Sequence, residues 1–245
     1  MKKVISIILA FALCASVAVA ASGCGCQKSK KETTSSAKGP GYRVEPTNPD
    51  FEEGDFSFYR LNDNEVKVTV YKGSAKNVEI PSTAKGAKVS VIESNLFQNS
   101  EIESVTIPVT VTEIQKYAFS GCQNLKEVVI PEGVKTIGVN AFWNCRNLTK
   151  VTLPTTLKNV DWNAFSATGL TSVTIPESET FSTLKEKVFF QCKDLHEAII
   201  PVTITAISDD TFEQCADDFT IKAYTGSFAL SYAKSHNINF EELSR

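Results

Sequence analysis

A period of about 23 residues constrains this chain more than any other feature. From Ile80 onward the dipeptide Ile/Leu-Pro recurs at Ile80-Pro81, Ile107-Pro108, Ile130-Pro131, Leu153-Pro154, Ile175-Pro176 and Ile200-Pro201, so six of the nine prolines occupy one slot. A phenylalanine follows at Phe97, Phe119, Phe142, Phe165, Phe189 and Phe212, spaced by 22, 23, 23, 24 and 23 residues. Five residues before each Phe stands an aliphatic: Ile92, Ile114, Ile137, Val160, Leu184 and Ile207. Eight before it stands another apolar residue: Val89, Val111, Val134, Leu157, Phe181 and Ile204. Three after it comes Cys122, Cys145, Cys192 or Cys215, with Ser100 and Thr168 in the two remaining repeats. Such columns at a fixed period mean a solenoid, in which each repeat buries its apolar face against the next.

Each repeat has a physical reading. Val-x-Ile before the proline (Val105 and Ile107, Val128 and Ile130, Val151 and Leu153, Val173 and Ile175) alternates as a short strand with one buried face does. Consecutive repeats place these strands side by side in a parallel sheet, and proline ends each strand because it cannot donate to the ladder. The β-branched Thr110, Thr156 and Thr203 two residues later disfavour positive φ, which predicts a type I turn with proline at its second position. The stretch around Ala118-Phe119 and Ala141-Phe142 predicts a helical turn or two on the opposite wall.

The pattern Ile-Pro-x-x-Val-x-x-Ile-Gly-x-x-Ala-Phe-x-x-Cys-x-x-Leu-x-x-Val-x-Ile, clearest from Ile130 to Leu153, resembles the BspA-like, Treponema-type leucine-rich repeat. The resemblance covers about residues 56–245 and implies an α/β leucine-rich-repeat solenoid of about six repeats. It also implies an N-terminal β-hairpin cap (residues 51–80, strands near Phe56–Leu61 and Glu65–Tyr71), repeats over 81–221, and a helical C-terminal cap (222–245, helix from Ser227 to His236). Caps are required because a terminal coil would otherwise expose its apolar face. Two repeats depart from the pattern: the fourth has Val160-Asp161 and Thr168, and the fifth carries extra residues around Glu177–Thr180.

The N-terminus carries an address. Residues 1–23 read as a secretory signal, with Lys2 and Lys3 before an apolar run from Val4 to Ala20. Ala21-Ser22-Gly23-Cys24 resembles a lipobox, which implies diacylglycerol on Cys24 and attachment to a bacterial membrane surface. Removing residues 1–23 deletes two lysines and no acids, taking the formal charge from −3 to −5. Residues 24–50 are rich in Lys, Ser, Thr, Gly and Pro and read as a flexible tether. A sequence pI near 5.6 offers no basic footprint, so nucleic acid is not an expected partner.

No constellation points to catalysis, a cofactor or a metal. The four downstream cysteines fall in one column and read as a ladder of small buried side chains, without the paired spacing a zinc site requires. The two histidines, His196 and His236, lack a common nucleophile. A solute-binding lipoprotein would need two α/β lobes, for which a 23-residue period leaves no room. The expected function is therefore non-covalent binding of a protein or glycan at the cell surface, which the resemblance associates with adhesion. A structural, self-associating envelope component is the alternative.

Two surfaces could carry binding. On the open sheet face the expected outward residues are Thr106, Val129, Thr152, Thr174, Ile199 and Thr220, flanked by Ser104, Glu127, Lys150, Ser172, Glu197 and Asp218. Exposed Thr is ordinary in strands. Val129 and Ile199 amid polar neighbours are less so, and Val129, Lys150, Thr152, Thr174, Glu197 and Ile199 form the candidate contact set. The second candidate is aromatic: Trp143, Trp162 and Phe190 interrupt polar slots on repeats three to five.

Overall fold

The computed structural model describes residues 48–244. The expected signal segment, Cys24 and nearly all of the tether lie outside the described residues. Three antiparallel strands open the fold: β1 (Phe51–Glu53), β2 (Phe56–Arg60) and β3 (Glu65–Tyr71). The expected hairpin is β2–β3, and β1 adds a strand that the sequence did not suggest. Phe58, Val66 and Val68 turn fully inward. β4 (Asn77–Glu79) and β5 (Thr83–Ala84) follow, and then β6 (Ala87–Ile92) pairs in parallel with β3. That pairing converts the antiparallel cap into the parallel array.

The array then alternates between two walls. Strands of the open face are β7 (Ser104–Thr106), β9 (Glu127–Val129), β11 (Lys150–Thr152), β13 (Ser172–Thr174), β15 (Glu197–Ile200) and β17 (Thr220–Tyr224). Between them come two-residue strands on a second wall: β8 (Glu113–Ile114), β10 (Thr136–Ile137), β12 (Asn159–Val160), β14 (Thr183–Leu184) and β16 (Ala206–Ile207). All pairings within the array are parallel and in register at the repeat interval. Each three-residue open-face strand buries its central Val and exposes both neighbours, as the alternation predicts.

The proline turn differs from expectation. The carbonyls of Pro108, Pro131, Pro154 and Pro201 accept the N–H three residues on, from Val111, Val134, Leu157 and Ile204 at 3.0–3.4 Å. Proline is thus the first residue of the turn, where its missing N–H coincides with the end of the strand ladder.

The expected helical turns on the opposite wall are also absent. Residues two before and two after each of the first five Phe are left-handed, among them Tyr117, Asn140, Asn144, Asn163, Ala167, Lys187 and Gln191, and at Phe212 only Gln214, two after it, is. Such residues cannot propagate a right-handed helix. Instead alternate N–H groups reach the next coil: Tyr117, Phe119 and Gly121 donate to the carbonyls of Val139, Ala141 and Trp143 at 3.0, 2.8 and 2.8 Å. This ladder repeats along the array and leaves the core to the Phe column. Phe97, Phe119, Phe142, Phe165, Phe189 and Phe212 stack with centroids 5.0–5.8 Å apart and planes within 13°. The widest step is Phe165–Phe189 at 5.8 Å, between the two irregular repeats.

Those irregularities have opposite signs. From Phe142 to Leu148 and from Phe189 to Leu195 the chain takes six residues to return, but from Phe165 to Leu170 it takes five. Two additional residues then appear between Ile175 and Leu184, and there Ser178 and Thr180 each donate to the Leu157 carbonyl, at 3.1 and 3.0 Å.

At the C-terminal end, Ile199 pairs with Lys222, and Thr220 pairs with Glu197. The expected placement of Thr220 in the outward column and Asp218 beside it is therefore two residues out. Phe219-Thr220-Ile221 imitates Val-x-Ile. In the fold, however, Ile221 and Ala223 fill the buried slots and Phe219 tilts against Phe212 at 5.0 Å.

The helix of the C-terminal cap, α1 (Phe228–Ser235), is bounded by Ser227 and His236. Ser227 Oγ accepts the Leu230 N–H at 3.3 Å, satisfying a free donor of the first turn. Tyr232 Oη donates to the carbonyls of Ser208 and Asp209 at 3.2 and 3.3 Å, closing the last coil. β18 (Asn239–Leu243) then returns parallel to β17 and forms the sheet's final strand.

Candidate functional site

The open face is divided into three hydrogen-bonded blocks, β4–β7, β9–β11 and β13–β15–β17–β18. The breaks fall beside β7 and β13, the two strands reached by five-residue returns. The candidate contact set divides with them. Val129, Lys150 and Thr152 lie on the middle block, and Thr174, Glu197 and Ile199 on the C-terminal one.

Val129 is 55% exposed beside exposed Thr106 and Thr152, whereas Ile199 is half-buried. Lys150 reaches back to Glu127 at 2.8 Å. Glu197 takes one side of Lys222, at 2.9 Å, and Glu241 takes the other at 3.1 Å. Hydrogen bonds from Lys222 to Glu197 and Glu241 raise its pKa above the ordinary lysine value. Both charged members of the set are thus occupied by cross-strand partners, and Val129 is the residue that the fold leaves exposed without a packing role.

The aromatic candidates do not form one cluster. Inter-coil hydrogen bonds align Trp143, Ser166 and Phe190 in one column, immediately after the Phe stack. Trp162 stands three residues before Phe165, in another column. It lines a separate shallow cleft with Asp161, Lys185, Glu186, Lys187 and Asp210. Trp143 and Trp162 are 43% and 49% exposed, and Lys187 Nζ lies 5.4 Å from the Phe190 ring centroid.

One constellation resembles a nucleophile site. Cys215 and the pair His196–Asp218 line the same shallow cleft, with His196 Nδ1 2.5 Å from Asp218 Oδ1. Its chemistry points the other way. The Cys215 thiol donates to the Phe189 carbonyl at 3.4 Å, and burial pushes its pKa well above the ordinary thiol value. A nucleophilic cysteine requires a lowered pKa. Cys122 and Cys145 likewise donate to the carbonyls of Phe97 and Phe119, at 3.0 and 3.1 Å, and all four described cysteines are free. Each thiol of the column therefore satisfies the Phe carbonyl of the coil before it. Its neighbour Cys122 and burial raise the Cys145 pKa. Burial pushes Cys192 up to about 11.

Among the described residues, no three or more His, Cys, Asp or Glu side chains are grouped to hold a metal ion. No helix among them is long and apolar enough to cross a membrane.

The comparisons agree with this architecture. The family model described as the BspA type leucine rich repeat region matches residues 90–217 in six copies. A leucine-rich repeat protein of T. pallidum has a TM-score of 0.59 at 19% identity, over 78% of this chain and 97% of its own. A leucine-rich repeat protein of Bacteroides ovatus has a TM-score of 0.52, also at 19% identity, over 78% of this chain and 67% of its own. At these identities the two structures speak to fold alone. No curated protein matches the chain. Six copies of the repeat, spanning more than half of the sequence and stacked as two parallel walls around a phenylalanine spine, make this chain a member of the BspA-type leucine-rich repeat family.

Proposed function

We propose that this protein is an extracytoplasmic, lipid-anchored binding module that engages a protein partner non-covalently through its open sheet face. Repeat solenoids act as interaction scaffolds because each coil adds to one extended surface. The observation that carries the reading is Val129, an aliphatic 55% exposed within rows of threonines and ion pairs. A lone apolar side chain on a rigid polar sheet suits a contact anchor surrounded by complementary polar contacts. The signal-like residues 1–23 and the lipobox-like sequence ending at Cys24 support the address.

The test of binding uses the purified full chain applied to bacterial and epithelial cell surfaces. The triple variant Val129→Asp, Lys150→Ala, Ile199→Asp is expected to lose that binding while keeping its thermal unfolding profile. Undiminished binding excludes the open face. Binding only to further copies of this chain favours the self-associating envelope component. The anchor is tested separately: labelled palmitate is incorporated by the native protein and not by Cys24→Ser, and persistent labelling of that variant overturns the assignment.

A further inference from the structure

The shortened return after Phe165 leaves a notch. Where the flanking coils place Arg146-Asn147 and Lys193-Asp194, this coil has Gly169 alone. Its chain lies directly on the coil before it, for a Cβ on Gly169 would stand 2.2 Å from the Arg146 carbonyl oxygen. The result is a cavity of about 260 Å3 with Thr168 and Gly169 as its floor and Arg146, Gln191, Lys193 and Asp194 on its walls. The aligned column alongside repeats the relief: Ser166 is buried between exposed Trp143 and half-buried Phe190. One recessed coil thus runs between an aromatic and a cation on either side.

The cations are unspent. Arg146 Nε donates to Asn144 Oδ1 at 2.9 Å, which orients the guanidinium, and among the described residues neither Arg146 nor Lys193 forms an ion pair with a carboxylate. The backbone here is already committed. The N–H groups of Asn144, Ala167 and Gln191 donate to Ser166, Phe190 and Glu213 at 2.8–2.9 Å. A peptide therefore finds no free ladder to extend, and recognition falls to side chains.

We infer that the notch binds the acidic terminal sugar of a glycan, a pyranose carrying a carboxylate. Arg146 and Lys193 flank the carboxylate with charge-assisted hydrogen bonds. Gln191 and Asp194 accept from ring hydroxyls. Trp143, exposed in the column alongside and outside the cavity's own lining, offers a ring for the apolar face of the next sugar. Asp194 among the walls opposes a polyanionic peptide and suits a hydroxylated ring. The volume lies just below the range of about 300–1,000 Å3 usual for small-molecule pockets and matches one terminal residue. The inference is independent of the open-face reading, because the two use different residues on different parts of each coil.

The test titrates the full chain with 3′-sialyllactose, lactose and a triglutamate peptide, following heat and the Trp143 indole N–H resonance, assigned with Trp143→Phe. Saturable binding of sialyllactose is expected at least about tenfold tighter than lactose or the peptide, with a shift of that resonance. The double variant Arg146→Ala, Lys193→Ala is expected to weaken it by about tenfold or more without changing the unfolding temperature. Lys193→Gln, a milder change at an exposed site, should weaken it to a smaller degree. No saturable binding, equal response to lactose, preference for the peptide, or undiminished binding in the double variant overturns the inference. Sialyllactose binding weakened in the open-face triple variant, with its unfolding profile unchanged, would also overturn the inference.

Discussion

The Cys192 thiol lies 3.2 Å from the Thr168 hydroxyl, and both side chains reach the carbonyl of Phe165, at 3.1 and 2.8 Å. Each thiol of the column serves the Phe carbonyl of the coil before it, whereas the Thr168 hydroxyl, in the slot where a thiol is missing, turns to the Phe165 carbonyl of its own coil. Burial pushes Cys192 from its ordinary 9.0 up to about 11. The unfolded chain therefore ionises this thiol first. Its contribution to stability is complete below pH 9 and is lost as pH rises toward 11, a fall of up to about 3 kcal/mol for this group. Urea melts at pH 8 and pH 10.5 should show the decline. It should shrink in Cys192→Ser, whose hydroxyl does not titrate there. A thiol reagent at pH 8 is expected to leave Cys122, Cys145 and Cys192 unmodified until the protein is denatured.

Phe142 stacks on Phe119 at 5.0 Å and on Phe165 at 5.2 Å, with 4° between planes in both cases. Its side chain is fully buried in the middle of the spine. Phe142→Ala removes contacts to both neighbouring coils and is expected to cost about 4 kcal/mol. Because coils contact only their neighbours, the loss also divides the array. Urea unfolding followed by far-ultraviolet circular dichroism should broaden, or separate into two steps. A single sharp transition with a small shift would contradict the nearest-neighbour picture.

What could be read from the sequence was whatever burial dictates once per coil. Val128, Ile137 and Phe142 had to point inward, and the period announced it. The wall opposite the sheet was harder. Its backbone is set by left-handed residues that include Tyr117, Ala167 and Lys187, types that carry no left-handed signal. Only Gly121 and the asparagines in those columns, Asn95, Asn99, Asn140, Asn144 and Asn163, hinted at the conformation. The end of the sheet misled because Phe219-Thr220-Ile221 has the alternation of a strand, and only the pairing of Ile199 with Lys222 fixes the register. For the surfaces, alternation revealed that Val129 is exposed, but no packing rule selects which exposed residues bind. The notch was present in the spacing of Phe165 and Leu170, visible only when each return is counted separately from the whole repeat.

Gly169 and Gly133 separate two reasons for glycine. At Gly169 a Cβ would collide with the Arg146 carbonyl oxygen at 2.2 Å. At Gly133 the backbone is left-handed, with φ of 110°, and a Cβ would stand 2.8 Å from the Val109 carbonyl oxygen. Gly133→Ala is expected to cost about 2 kcal/mol, through backbone strain and a 2.8 Å contact that the Val109 backbone must move to relieve. Gly169→Ala should cost more, about 3–4 kcal/mol, because two coils must part to admit the methyl group. Thermal unfolding of the two variants gives the comparison, and equal losses would mean that the close approach of coils three and four is not a constraint.

Lys150 and Glu127 stand opposite one another on β11 and β9, 2.8 Å apart, with side chains 66% and 50% exposed. Solvent screens an exposed pair of this kind, so its coupling is expected to be below about 1 kcal/mol and to fade in high salt. A double-mutant cycle of Lys150→Ala and Glu127→Ala, read by urea unfolding, measures it directly. A small coupling has a consequence for function. The pair would then be dispensable to the fold, and a loss of partner binding in Lys150→Ala would report on the contact itself. A coupling of several kcal/mol would mean instead that the ion pair fixes the middle block of the sheet. Binding defects at Lys150 would then have to be separated from local unfolding before the open face could be held responsible.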